Sequence, residues 1–447
     1  MSIDANPSIK EIATTFGDTP PYSMSELYGL NFSSGNAVTS GTISLSGFRN
    51  KTVETLLAES NKLTADNRLT NAQFGASVSV SSDGSTLLVG APGEGNNVGA
   101  AYIFEEVNGT WTQQAKLTLS SSGSSFGISV YISHDGSTAL VGERGFNGNG
   151  SACIFEKGSA WSDMTETAKL TASDGAGGDR FGFSVSISSD GSTAFVGSPY
   201  DNSYTGSAYI FEKGSSWSSM TETAKLTASN GAGGDYFGDS VSISDNGSTV
   251  LVGAYRSDSP STDQGSGYIF EKVGGIWIER AQLTTSDTIA NDKLGTFVSL
   301  SGDGSTALMG SEMNNNGAGA AYIFEKPGSG WTTTSTHTAK LTAENIYGGG
   351  DYLGICLSIS GDGNTVIAGA PGNTSNGSAY IFKKPDSGWS DMTETAELKA
   401  SDGASGDRFG WGVCITDDGS KAIVGSYRDD YFYLGSAYVF EPSYFVN

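Results

Sequence analysis

The chain has 447 residues, with 48 acidic against 24 basic side chains and a formal net charge of −24 at pH 7. Glycine, at 63 residues, is about twice its usual share, while charged residues make up 16% rather than the ~25% of an average protein. The acidity opposes a nucleic-acid partner, because phosphate is repelled at long range, and 37% hydrophobic with 11% aromatic residues opposes disorder. Cys153, Cys356 and Cys414 are odd in number and widely spaced, so they make neither a disulfide framework nor a Cys-x-x-Cys metal knuckle. The N-terminal segment lacks the basic and apolar regions of a secretory signal. No run approaches the ~18 apolar residues of a membrane span, so membrane insertion is not expected, and neither is a cofactor.

In chain order, residues 1–58 form an irregular arm with two similar phrases. These are Tyr22-Ser-Met-Ser-Glu-Leu-Tyr28-Gly29 and Ile43-Ser-Leu-Ser-Gly-Phe-Arg49-Asn50-Lys51, offset by 21 residues. Ser23 and Glu26 have capping-box spacing, which predicts a short helix there. The phrase Asn-Lys-Leu-Thr-Ala-Asp at 61–66 follows, and then a repeat begins. Phe-Gly or Leu-Gly opens each copy, at Phe74, Phe126, Phe181, Phe237, Leu294, Leu353 and Phe409, with intervals of 52, 55, 56, 57, 59 and 56 residues.

One copy shows four strand signals in residues 181–188, 192–197, 207–212 and 221–227, each short, rich in β-branched and aromatic residues and bounded by turn formers. Asp-Gly, or Asn246-Gly247 in the fourth copy, joins the first two strands and predicts a type I′ hairpin turn. Four-stranded antiparallel units repeated radially make a β-propeller. The last copy ends after its third strand, while 61–66 supplies an unpartnered fourth strand ahead of the first copy. Pairing the two closes the ring and removes both free sheet edges. The expected fold is therefore all-β, a seven-bladed propeller over 59–447 closed by an N-terminal strand and preceded by the arm. Trp111, Trp161, Trp217, Trp277, Trp331 and Trp389 recur at one position and are expected to pack blade on blade.

Phe-Gly followed by Val89-Gly-Ala-Pro92 or Ala368-Gly-Ala-Pro371 resembles the FG-GAP repeat, the propeller of integrin α-subunit heads. In that family a calcium loop of the Asp-x-Asp-x-Asp-Gly type lies between the first two strands. Here that place holds Ser-Asp-Gly-Ser or its equivalent, with too few oxygens for calcium, so the resemblance is to a calcium-free variety and no metal is expected. The arm's two phrases are similar to modules in structural proteins of marine tailed phages and large algal viruses. This implies docking onto other virion proteins through Tyr22, Met24, Leu27, Tyr28, Ile43, Leu45, Phe48 and Arg49. Packing of the arm on the propeller rim is the alternative. The resemblance places the protein on a virion surface, or otherwise at a cell surface.

A second acidic loop precedes Phe-Gly, with Asp174 and Asp179, Asp287 and Asp292, and Asp402 and Asp407 five apart; Asn230 and Asp235 vary it. It reads either as a weak cation site or as a turn in which Asp bonds nearby backbone N–H groups. Catalysis has little support. His134 and His337 are the only histidines, and both are expected on the face of the first-to-second and third-to-fourth loops. An Asp/Glu pair alone could hydrolyse a glycoside, but no phrase marks one. The opposite face carries the variable loops. Three of these hold Tyr200, Asp201 and Tyr204; Tyr255, Arg256 and Asp258; and Tyr427, Arg428, Asp429, Asp430, Tyr431 and Tyr433. Aromatic faces beside carboxylates and amides suit either a host glycan or a surface protein.

Overall fold

In the third repeat, Ser184–Ile187 alternates serine with valine and isoleucine, so one of its faces is apolar. Val185 pairs with Val196 of Thr193–Ser198, Val196 with Tyr209 of Ser207–Glu212, and Tyr209 with Lys225 of Ala224–Leu226. The computed structural model describes residues 31–32, 53–67, 69–121, 123–145, 148–258, 261–346, 349–430 and 432–446. It repeats this antiparallel sheet seven times, as seven blades numbered here in chain order. The chain divides into two units, Glu59–Val439 and Met1–Ala58 with Phe440–Asn447. In the second unit Asn31–Phe32 runs parallel to Phe445–Val446. The arm residues Tyr22, Met24, Leu27, Tyr28, Ile43, Leu45, Phe48 and Arg49 lie outside the described residues.

The third strands are apolar on both faces because each blade packs on two others. In blade three, Val185, Ile187, Val196, Tyr209 and Phe211 join Leu140 and Ile154 of blade two in one core. Phe195, Ala208 and Ile210, of opposite parity, join Val250, Val252 and Phe270 of blade four. Burying each such side chain is worth ~1.5–3 kcal/mol, so the inter-blade cores dominate stability. The tryptophans belong to these cores, as expected. Trp161, Trp217, Trp331 and Trp389 also donate Nε1–H to the carbonyls of Gly136, Gly191, Gly304 and Gly363 at 3.0–3.1 Å, which ties each to its own hairpin turn.

The ring closes as the repeat arithmetic requires. The strand ending at Leu63 pairs with Ser436–Val446 as the outer strand of blade seven, and Ser60 Oγ donates to the Val439 carbonyl at 3.2 Å. Glu59 then does what Glu166, Glu222 and Glu279 do at other junctions. Its carboxylate accepts the N–H and hydroxyl of Ser401 in the preceding blade, at 2.8 and 2.9 Å. The equivalent pairs at two other junctions are Ser120 with Glu166 and Ser173 with Glu222.

The same stretch adds an element beyond the four expected strands. Met164–Thr165, Met220–Thr221 and Met392–Thr393 each run parallel to the outer strand of the preceding blade, giving five-stranded sheets. These third-to-fourth connections thus climb the neighbour's edge and cover it, whereas in blades one and four tight hairpins at Val107–Thr110 and Val273–Ile276 join the two strands.

The signature glycines are contacts between blades. Gly75 of the first Phe-Gly has φ +85°, and a Cβ on Gly425 of the seventh blade would lie 1.9 Å from its carbonyl oxygen. The second-strand glycine meets the next blade's Phe-Gly in this way at all seven junctions, including the closing one.

The hairpin turns differ from the type I′ expectation. Gly84 has φ +69°, but Ser82 and Asp83 are not left-handed, and Gly84 N–H donates to the Ser81 carbonyl at 2.9 Å. The turn is therefore type I followed by a left-handed glycine. The reason is Asp83, whose Oδ1 accepts the Ser81 hydroxyl at 2.7 Å and the Ser85 N–H at 2.9 Å. Such an Asx cap works in the right-handed region.

Around the axis the second turn residues form a ring. Ser82, His134, Ser189, Asp245 and Gly302 each donate a backbone N–H to the corresponding carbonyl of the next blade, at 2.8–3.1 Å, and Asp362 N–H donates to the Asp417 carbonyl. His134 spans this ring, with Nδ1 3.0 Å from Asp417 of blade seven and Nε2 3.3 Å from Asp245 of blade four.

Candidate functional site

The opposite face is built from the second-to-third loops and the loops leading into Phe-Gly. In all seven repeats the residue before Phe-Gly or Leu-Gly is left-handed without being glycine. These residues are Gln73, Ser125, Arg180, Tyr236, Lys293, Tyr352 and Arg408, with φ between 56° and 64°. Each costs about 1–2 kcal/mol, and the backbone N–H of the following residue is held by the preceding blade. Phe237 N–H, for example, donates to the Thr205 carbonyl at 3.0 Å. The fold therefore fixes seven equivalent positions whose side chains vary, half-buried in six repeats and buried at Ser125.

Four tyrosines gather there across blades three and four. Tyr200 lies 5.3 Å from Tyr204 and 5.2 Å from Tyr236, Tyr204 lies 5.6 Å from Tyr236, and Tyr236 lies 5.3 Å from Tyr255, all between ring centroids. Cations flank the row. The Arg180 guanidinium stacks 3.8 Å from the Tyr200 centroid, and that of Arg256 lies 5.3 Å from Tyr236 and 5.6 Å from Tyr255. Lys293 pairs with Glu312 at 3.0 Å. Burial and the nearby Arg180 push Arg144 below its ordinary range, so positive groups are held close together here. Burial also pushes the carboxyl of Asp239 up to about 7, with Glu312 adding to the shift and Arg180, Lys293 and Arg256 opposing it. Tyr204 is the exposed member, at 48%.

Blade seven carries a smaller patch. Tyr427 packs on Trp411 at 4.8 Å, and the Arg428 guanidinium lies 5.2 Å from Tyr427 and 5.3 Å from Tyr433. Phe432 and Tyr433 are exposed. Tyr431 lies outside the described residues. Tyr236, Arg180 and Trp411 were missed by the sequence reading because they flank Phe-Gly rather than sit in the second-to-third loops. The signal was variation at the position before an otherwise fixed dipeptide.

Of the carboxylates in these loops, Asp201 and Asp429 are buried, while Asp258 and Asp430 are exposed. Asp201 accepts from Ser207 Oγ at 2.6 Å and pairs with Lys225 at 2.6 Å, and Lys225 also pairs with Asp174. Asp429 pairs with Lys62 at 2.6 Å and accepts from Tyr438 at 3.0 Å, while Asp402 holds the same lysine. Asp430 donates its N–H to Asp429. Asp258 accepts the N–H of Asp263 at 2.9 Å.

The Asp-x4-Asp loops resolve likewise. The second aspartate accepts a loop N–H, from Ala176 for Asp179, Ala232 for Asp235, Ile289 for Asp292 and Ala404 for Asp407. The first takes a lysine and a tyrosine, so that Lys225 and Lys340 hold the carboxyls of Asp174 and Asp287 below their usual range, burial opposing. A lysine ammonium fills the space between two carboxylates where a bound cation would sit.

The histidines separate. His134 lies among the hairpin turns around the axis, as expected for its face. His337 does not stay there, because its connection climbs the rim of blade four and brings Nδ1 to 2.7 Å from Thr285 Oγ1 in the loop before Leu294. Cys153, Cys356 and Cys414 are free and buried, and burial pushes the Cys153 and Cys356 thiols up to about 12. Among the described residues, no group of three His, Cys, Asp or Glu side chains is placed to hold a metal ion, and no helix is long and apolar enough to cross a membrane.

No curated protein matches the chain. Residues 57–104, 164–211, 220–270, 277–324, 335–382 and 392–440 match the FG-GAP repeat. The first match begins in the strand that closes the ring, and the stretch without a match covers most of blade two, where Cys153 replaces the third-strand tyrosine of the other blades. With well over half its length matched and a seven-bladed propeller in place, the chain belongs to the FG-GAP repeat family.

Proposed function

We propose that the protein is a non-enzymatic binding and structural protein whose loop face recognises a surface glycan or a surface protein, without calcium. The observation that carries this reading is the row of Tyr200, Tyr204, Tyr236 and Tyr255 flanked by Arg180 and Arg256. Flat aromatic faces stack on sugar CH groups, and guanidinium forks bond hydroxyls and carboxylates. The calcium-free reading draws support from Lys62 and Lys225, each lodged between two aspartates. Residues 1–58 dock the propeller onto a virion surface. This rests on the paired phrases at Tyr22 and Ile43, and a cell-surface adhesin is the reading if the arm docks nowhere.

Binding of the full chain to a glycan array, with calcium and with chelator, tests the recognition claim. The expected result is binding that is indifferent to chelator and is lost in the Tyr204→Ala/Tyr236→Ala variant. Binding that requires calcium would contradict the proposal. A chain lacking 1–58 that still assembles on particles would contradict the role of the arm.

A further inference from the structure

Resting on that reading of the loop face, we propose that the tyrosine row of blades three and four takes a sugar bearing a single carboxylate or sulfate. The sugar ring stacks on Tyr204 and its anion is held by Arg256. Three observations carry this.

The first is charge. The chain is strongly acidic, yet Arg180, Arg256 and Lys293 are collected on one row of rings, with Arg144 close enough to feel Arg180. Lys293 is met by Glu312 and the Asp239 carboxyl lies among these cations, so what the row adds for a ligand is the Arg256 fork. The second is an unmet donor. The Nε of Arg256 is buried and has no hydrogen-bond partner among the described residues, although both flanking rings lie within 6 Å of its guanidinium. A ligand oxygen would satisfy it, and the planar fork of arginine matches carboxylate and sulfate. The third is the aromatic surface. An inorganic anion needs no stacking platform, whereas Tyr204 is 48% exposed and inclined only 37° to Tyr236.

The net charge of −24 then selects among anionic sugars. A long polyanion meets repulsion from the whole molecule. One acidic residue at a chain end meets chiefly the local cations, because charges beyond ~8 Å are screened at physiological ionic strength.

The test is calorimetric titration of the full chain with an oligosaccharide ending in glucuronic acid, and with the same compound as its methyl ester. The acid is expected to bind at least tenfold more tightly than the ester. Arg256→Gln should erase that difference while leaving ester binding in place, and Tyr204→Ala should weaken both about tenfold. Equal affinity for acid and ester would overturn this inference but leave the glycan reading standing. Failure of both saccharides, with an acidic peptide binding instead, would overturn this inference and the glycan reading together and leave a surface protein as the partner. If Arg256→Gln melts below the parent chain, Arg180→Gln carries the same comparison.

Discussion

The two faces of the propeller are made from the same repeat and have opposite characters. On the hairpin face, every turn caps itself through its own Asp or Asn, and the turns are tied to one another around the axis. On the loop face, one left-handed position per repeat is fixed by the fold, and residues as different as serine, glutamine, tyrosine and arginine occupy it. The difference shows where seven blades must agree. Closure fixes the hairpins, the glycines and the glutamates of the Glu59 type, because each makes its contact in the adjoining blade. The loops contact their neighbours mainly through backbone, so their side chains are free to carry recognition.

The largest effect is expected where closure is broken. Gly425→Ala would force a Cβ to within 1.9 Å of the Gly75 carbonyl oxygen, and should cost about 3 kcal/mol in chemical denaturation. Gly328→Ala, where a Cβ meets nothing within 4 Å, should stay within about 0.5 kcal/mol of the parent.

Lys62→Met comes next. It leaves Asp429, whose side chain is 4% exposed, without its cation and loosens the strand that closes the ring, for about 3 kcal/mol or somewhat less, since Tyr438 still bonds the carboxylate. Unchanged stability in Lys62→Met would mean that blade seven does not depend on the N-terminal strand.

A smaller effect is expected from His134. Burial opposes its protonation, but Asp417 and Asp245 outweigh this and raise its pKa above 6.5. Its contribution is therefore full below pH 6.5 and fades as pH rises through the raised value. The melting temperature of the parent chain should fall relative to His134→Gln over that window, and parallel curves would refute the clamp. The smallest effect on stability is expected from Tyr204→Ala on the loop face, within about 0.5 kcal/mol, despite weakened binding.

Much of this architecture was legible in sequence because a sevenfold pattern multiplies weak local signals. Phe-Gly spacing, the double-faced third strand and the spare phrase at 61–66 together required a closed ring. The turn type was misread because Asp-Gly alone does not reveal that the Asp carboxylate is already committed to Ser81 and Ser85. The parallel fifth strands were hidden because Met-Thr at 164–165 or 220–221 is too short to show periodicity. In the site, Tyr200, Tyr204, Tyr255 and Arg256 were found from composition of one loop class. Their neighbours Tyr236 and Arg180 lie about 20 residues before Tyr255 and Tyr200 in the chain, and only the fold brings them together.

The most direct test places recognition on one face. Full-length Tyr204→Ala/Tyr433→Ala, two exposed loop-face rings, and full-length His134→Gln, on the hairpin face, would be compared with the parent chain on one glycan array. Loss of binding in the first variant with retention in the second is the predicted result. Retention in the first with loss in the second would contradict the account.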